Sequence, residues 1–334
     1  MIQPSALGAL AGIDVGASGV RVAVKVADRT ARASIAESLP RNNGHIDAVG
    51  LSSLIARGLA NALANGPETV DTIALGMAGY PDLVESPEEL ATAIGRAVSA
   101  RRVVLANDAL TTHVGALGGA SGTVIAAGTG AIALGTDHAS TWTRADGWGV
   151  LLGDSGSGAW VGHQGLSSAL RAADGRRDGS HLLLEGLSDR YGSVDRLVRA
   201  VYSTESPSTI LGQFAPVVAE AARNGDLVAR AIWANAGRHL AATAAAAALP
   251  GKPISWGGGL FAAGELLLEP FLNALKRACP GVVATPPQGT SVDGALELAA
   301  ASTLDEHPSF LRAIDLNANS VADIARTPSK TAGT

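Results

Sequence analysis

The chain has 334 residues, a formal net charge of −5, 47% hydrophobic residues and 16% charged ones. This length suggests two domains, and a charged fraction well below the roughly 25% of an average soluble protein leaves much of the surface to Ala, Gly, Ser and Thr. The acidic balance, the lack of a Lys/Arg block and the 4% of aromatic residues argue against a nucleic-acid partner, and the single Cys279 excludes an internal disulfide and a protein-held iron–sulfur cluster.

The longest mostly apolar run, Leu240 to Leu249, is about half the roughly 20 residues a membrane span requires. The start of the chain lacks the basic stretch of a secretory signal. The expected setting is cytoplasmic, with no membrane partner.

The first elements are strands at residues 10–15 and 20–27, joined by a tight hairpin. Asp14 and Gly16 close the first strand, and exposed amides and the Ser18 hydroxyl sit at the tip. Leu51, Leu54, Ile55, Leu59 and Leu63 keep helical spacing and predict a helix from Leu51 to Ala64. Strands at 71–77 and 101–106, with a helix from Pro87 to Ala100 between them, continue an alternation that implies an α/β domain. Asn107-Asp108 follows the buried run Val103 to Ala106 and precedes a helical segment. A carboxylate there sits where open α/β sheets place their ligands. A plain helix cap accounts for Asp108 equally well.

A second set of elements begins with hairpins at 122–146, and Gly128-Thr129-Gly130 forms a tip like that after Asp14. Paired Gly-tipped hairpins can grip a polyphosphate, since their backbone N–H groups form anion-binding concavities. From Asp146 to Gly158 the chain packs five glycines and two aspartates into one run. Asp146 and Asp154 supply acceptors suited to donor-rich ligands such as sugar hydroxyls. Helices follow from about 158 to 247, with Ala241 to Ala248 read as a close-packed helical stretch. Strand returns at Pro253-Ile-Ser-Trp and at Val282-Val-Ala, and Gly257-Gly-Gly precedes a helix from Glu265 to Ala278. A last helix covers Val292 to Thr303, and residues beyond about Leu316 read as a loose tail. His113 and His163 have no ligand-type spacing and read as packing or surface residues. The chain has no G-x-x-x-x-G-K-[ST] string, no G-x-G-x-x-G closing its first strand and no protein-kinase signature set.

In order and separation, Asp14-x-Gly-x-Ser-Gly, Asn107-Asp108, Gly128-Thr-Gly and Trp148-Gly-x-x-x-Gly-Asp-x-Gly-Ser-Gly resemble the actin-like sugar kinases. Among these the similarity is to the N-acetylglucosamine and glucosamine kinases of the BadF/BadG/BcrA/BcrD ATPase family, from about residue 10 to about residue 305. The resemblance implies an α/β, two-domain actin-like (ribonuclease H-like) ATPase fold with an interdomain cleft that closes on the sugar and excludes water. Residues 1–112 with about 292–315 would form the first domain and 113–291 the second, leaving 316–334 as a flexible tail. The implied reaction is ATP-dependent phosphorylation of an amino-hexose at its 6-hydroxyl, with ATP and Mg²⁺ as cofactors.

In the implied site Asp108 is the general base and Asp14 serves the metal. Gly16, Ala17, Ser18, Gly19, Thr129 and Gly130 hold the phosphates, and Gly257, Gly258 and Gly259 pass under the adenosine, although a helix-capping turn explains the three glycines almost as well. Asn107, Asp108, Thr129, Trp148, Gly149, Asp154 and Gly158 line the sugar pocket, Gly158 being small so that the sugar lies close to the backbone. Two departures bear on the substrate. Ile132 stands where the family commonly carries a pocket Asn, and Ser155 stands where it carries Glu. Both weaken the acetamide contact and move weight toward the free amine. A non-catalytic regulator or an ATPase activator of a radical dehydratase would share the fold; the presence of Asp108 opposes the first, and the lone Cys279 the second. The oligomeric state is left open, a homodimer being one option.

Overall fold

The computed structural model describes residues 8–17, 19–63, 69–204 and 206–316. In chain order these form β1 (Leu10–Gly16), β2 (Gly19–Val26), β3 (Arg29–Ile35), β4 (Arg41–Asn42), β5 (His45–Ile46), α1 (Ala48–Ala62), β6 (Thr72–Met77), α2 (Pro87–Val98), β7 (Arg102–Asn107) and α3 (Asp108–Leu117). There follow β8 (Gly122–Ala127), β9 (Ala131–Thr136), β10 (Trp142–Asp146), α4 (Gly158–Ala173), α5 (His181–Tyr191), α6 (Val194–Tyr202), α7 (Pro207–Gly212), α8 (Ala215–Arg223) and α9 (Leu227–Ala246). The chain finishes with β11 (Ile254–Gly257), a 3-10 turn (Gly259–Ala263), α10 (Glu265–Ala278), α11 (Ser291–Ala300) and β12 (Leu311–Asp315). The expected tail beyond residue 316 lies outside the described residues.

These elements fall into two compact units, Met1–Val114 with Val292–Thr334, and Gly115–Ser291. In the first, one sheet runs β12-β7-β6-β1-β2-β3. Its centre, β1, β6 and β7, is parallel, and β2, β3 and β12 pair antiparallel to their neighbours. The central strands read as near-continuous apolar runs because both faces are covered: Ile13, Val15, Ile73, Leu75, Val103 and Leu105 are all fully buried. Against β1 lies α11, so close that a Cβ on Gly12 would come 2.4 Å from the Leu296 backbone nitrogen. Only glycine admits that approach.

Capping chemistry sets the helix ends. At α1, Asp47 accepts the Val49 N–H at 3.0 Å, which moves the start to Ala48 from the expected Leu51; the expected end, Ala64, lies outside the described residues. At α2, Ser86 accepts the Glu89 N–H at 3.2 Å, Pro87 opens the first turn and Glu88 and Glu89 complement the helix dipole there.

In the second unit a sheet runs β10-β9-β8-β11, with β8 and β11 parallel and the others antiparallel. Its core gathers Trp233, Phe214 and Phe271, and the rings of Trp256 and Phe261 lie 6.0 and 5.6 Å from that of Phe271.

Three expectations change. The strand expected at 282–284 is a single bridge from Ala284 to Ile254, too short to form a ladder. The last helix ends at Ala300 instead of Thr303. Two edge strands, β3 and β12, were not anticipated. Their half-exposed, polar-rich sequences carry a weak pattern, and pairing with β2 and β7 makes them strands. No helix among the described residues is long and apolar enough to cross a membrane.

Candidate active site

In the first unit the parallel strands bring the expected residues to one sheet edge. Val15, Met77 and Asn107 lie in one row across β1, β6 and β7, so Asp14 and Asp108 flank that row at the carboxyl ends of their strands. Gly16 pairs with Gly19 and Ala17 sits in the turn between them, as the hairpin reading requires; Ser18 lies outside the described residues.

Asp14 is buried, and the register places Arg21 directly opposite it, where the guanidinium Nη1 donates to Asp14 Oδ2 at 2.8 Å. A single carboxylate beside backbone amides fits Mg²⁺, which takes one or two protein carboxylates together with phosphate and water oxygens. It does not fit an all-protein cage: among the described residues no group of three His, Cys, Asp or Glu side chains could hold a metal.

At the end of β7 the cap proves to be Asn107. Its Oδ1 accepts the Ala109 N–H at 2.9 Å, and its Nδ2 donates to the Tyr80 carbonyl at 2.6 Å. Asp108 is then the first helical residue, half-buried, with its carbonyl accepting the Thr111 hydroxyl at 3.1 Å. The bond to the Ala109 N–H thus comes from Asn107, one residue before Asp108. Asn107, expected in the sugar pocket, has both ends of its amide held by the fold.

In the second unit three glycine-rich segments converge on the end of β8. The Gly128-Thr129-Gly130 tip closes with the Gly128 N–H donating to the Gly130 carbonyl at 2.9 Å. The first turn of α4 docks on it, Gly158 N–H donating to the Gly128 carbonyl at 2.8 Å and Ala159 N–H to the Thr129 carbonyl at 3.0 Å. A Cβ on Gly158 would stand 2.8 Å from that same Gly128 oxygen. The docking of backbone against backbone thus requires a small residue at this position. Beyond Gly257, paired with Ala126, the chain turns through Gly258 at φ 97°, where a Cβ would strike the Ala127 carbonyl at 2.2 Å, and enters the 3-10 turn at Gly259.

The run from Asp146 to Gly158 packs against the same tip. Asp154 is buried, with the Gly149 N–H donating to its Oδ1 at 3.1 Å. Burial raises its carboxyl above the ordinary carboxylate value and nearby Asp146 pushes the same way, while the Gly149 and Ala131 N–H groups and Arg144 pull it down. Trp148 is 62% exposed, and the Arg144 guanidinium lies 4.5 Å over its ring. Asp146, expected as a ligand acceptor, instead accepts the N–H groups of Asp154 and Ser155.

Sequence reasoning missed Arg21 and Arg144. Arg21 was within reach of the hairpin register, since a two-residue turn after Gly16 fixes which residue faces Asp14. The hydrogen bonds of Arg144 go to the Asp146 and Gly147 backbone carbonyls and carry no sequence signal. His113 is buried in α3 and His163 is exposed on α4. A cavity of about 630 Å³ in the second unit, lined by Arg223, Arg230, Glu265, Glu269 and Asn273 among others, includes none of the expected residues.

Comparison with known proteins places this arrangement. An N-acetylmuramic acid/N-acetylglucosamine kinase of Clostridium acetobutylicum is 30% identical over 193 residues, 57% of this chain and 62% of that protein. An N-acetyl-D-glucosamine kinase of Dictyostelium discoideum is 30% identical over 184 residues, 53% of this chain and 56% of that protein. The matched stretch thus spans less than two thirds of either relative. A solved structure from Chromobacterium violaceum, described as a candidate N-acetylglucosamine kinase, superposes with a TM-score of 0.69 at 26% identity, covering 88% of this chain and all of that one. The fold is the α/β fold of the actin-like ATPases. Residues 11–299 match the model of the BadF/BadG/BcrA/BcrD ATPase family, and the chain belongs to that family.

Proposed function

We propose that this protein transfers the terminal phosphate of ATP to an amino-hexose, at its 6-hydroxyl, giving the sugar 6-phosphate and ADP. The observation that supports the reading is the place of Asp108, directly after Asn107 at the carboxyl edge of the parallel strands, in the row that also ends β1 beside Asp14. Family membership and two relatives named as kinases of N-acetylated amino sugars support it.

In this reading Asp108 orients the acceptor hydroxyl and takes its proton, while most of the rate comes from positioning and charge stabilisation around the transferred group. Backbone amides of Gly16, Ala17, Gly19 and Gly130, with the hydroxyls of Ser18 and Thr129, are assigned to the phosphates, and Gly257 to Gly259 to the adenosine. Asp14 is the carboxylate assigned to Mg²⁺, which when bound neutralises phosphate charge. Asp154, Trp148 and Gly149 are assigned to the sugar, with Asn107 holding the turn that presents Asp108. The relatives' names support an acetylated acceptor, whereas Ile132, whose Cδ1 lies 2.8 Å from where Gly147 would carry a Cβ, presents no hydrogen-bonding group and supports the free amine.

The test is a substrate panel of glucosamine, N-acetylglucosamine and glucose with Mg-ATP, read by ADP release and by product mass, on the wild type and Asp108→Asn. The amino sugars should give the 6-phosphate, and the variant should lose about 10²- to 10⁴-fold in kcat while still binding ATP. Faster turnover of glucose than of both amino sugars, or an undiminished variant, would overturn the reading. ADP release that ignores sugar would favour an activating ATPase.

A further inference from the structure

The segment between β10 and α4 is held from its two ends by side chains, and a turn in its middle is closed by the Leu152 and Gly153 N–H groups donating to the Gly149 carbonyl at 3.1 and 2.7 Å. Leu151 and Leu152 are 91% and 85% exposed, the Arg144 guanidinium lies over the Trp148 ring, and Val150 packs against the core of the second unit, so the polar bonds at the two ends carry much of the segment's geometry. At the start, Arg144 Nε donates to the Asp146 carbonyl at 3.1 Å and its Nη2 to the Gly147 carbonyl at 2.8 Å. At the end, the Asp146 carboxylate reaches across the loop. Its Oδ1 accepts the Asp154 N–H at 2.6 Å and its Oδ2 the Ser155 N–H at 3.2 Å.

Asp146 and Asp154 both adopt the left-handed backbone region, with φ of 63° and 53°. Residues other than glycine hold that conformation when surrounding bonds over-determine it. Here the bonds are reciprocal across the loop: Asp146 grips the backbone of Asp154, and the Asp154 side chain returns to the Gly149 N–H. Asp154 Oδ2 also lies 2.6 Å from where Gly130 would carry a Cβ, at the tip of the β8–β9 hairpin. The direction of the Asp154 carboxylate therefore depends on a charge eight residues upstream.

We infer that Asp146, assisted by Arg144, is a positioning residue: it aims the Asp154 carboxylate and the Trp148-Gly149 turn at the acceptor sugar without touching the sugar itself. The inference rests on the kinase reading for the word sugar, and on geometry alone for the aiming. Asp146→Ala removes both acceptors. Asp146→Asn keeps one oxygen for the Asp154 N–H and turns an amide donor toward Ser155.

The experiment measures steady-state kinetics and amide hydrogen exchange on the wild type and both variants. Asp146→Ala should raise the KM for the amino sugar about tenfold or more while the KM for ATP stays within about twofold, and Asp146→Asn should recover much of that loss. In parallel, amides of residues 147–156 should lose protection in the Ala variant, with protection in α9 and α10 unchanged. An unchanged sugar KM, or equal rises in both KM values, would overturn the inference. If no amino sugar is turned over by the wild type, the kinase reading fails by itself; the aiming claim then stands or falls on hydrogen exchange, and unaltered protection of 147–156 sinks it.

Discussion

Two buried or half-buried aspartates in this chain have opposite surroundings, and the difference predicts behaviour. Asp14 faces the Arg21 guanidinium at 2.8 Å, whereas Asp154 is enclosed by the fold with Asp146 close by. Burial, reinforced by Asp146, lifts Asp154 above its ordinary value, so its proton is retained to higher pH than that of a surface carboxylate. For activity this means that kcat/KM for the sugar should begin to fall, as pH is lowered, above the usual carboxylate range, and Asp154→Asn should flatten that limb of the pH profile. For stability the sign is reversed relative to an ion-paired acid. With the folded value above the unfolded one, the ionised group disfavours the fold at higher pH, and the penalty disappears as pH falls through the window between the two values. Urea unfolding of wild type and Asp154→Asn across that window checks it: the stability difference should narrow on acidification.

Elements position these residues through contacts that tolerate little added volume. In Gly158→Ala the new methyl would meet the Gly128 carbonyl at 2.8 Å, the oxygen that also receives the residue 158 N–H. Relief must move α4 or the hairpin tip. We expect a loss of about 1–3 kcal/mol in unfolding free energy together with weaker nucleotide binding, measured by denaturation and by titration calorimetry. Gly12→Ala should destabilise the first unit by more than about 2 kcal/mol, because α11 backbone stands 2.4 Å from the added atom, and should leave nucleotide contacts of the second unit unaltered. Phe271, against Trp256 and Phe261, anchors the turn that follows Gly257; truncation to Ala should cost about 3–5 kcal/mol. The strands and helices around these points were largely readable from apolar periodicity and Gly-tipped turns. The edge strands β3 and β12 were not, because a strand with one partner and one wet face has little apolar pattern of its own.

For the whole molecule, the kinase reading predicts that catalysis and nucleotide binding separate at Asp108. A ligand present at about 100 times its Kd adds about 2.7 kcal/mol to the stability of the form that binds it. Mg-ATP and the amino sugar should therefore each raise the melting temperature by several degrees, and Asp108→Asn should keep the Mg-ATP shift while losing turnover. A variant that loses the Mg-ATP shift as well would place Asp108 in nucleotide binding or folding instead of chemistry. The low charge content, 16% with a net −5, predicts only weak dependence of these shifts on salt beyond that of the nucleotide itself.

The amino-acid sequence by itself determined the glycine-tipped hairpins, the α/β alternation and the family to which they belong, because these follow from local periodicity, turn chemistry and motif spacing along the chain. It left open what each Asp or Asn side chain does. Asn107, Asp108, Asp146 and Asp154 are all acceptors, as fit for a ligand as for a helix end or a loop amide. Only the folded arrangement decided between those uses: Asn107 caps α3, and Asp146 holds the backbone on which Asp154 stands. The reason is one of range. A hydrogen bond needs its partner within about 3 Å, and which backbone N–H arrives there is set by strand register and helix docking between distant segments.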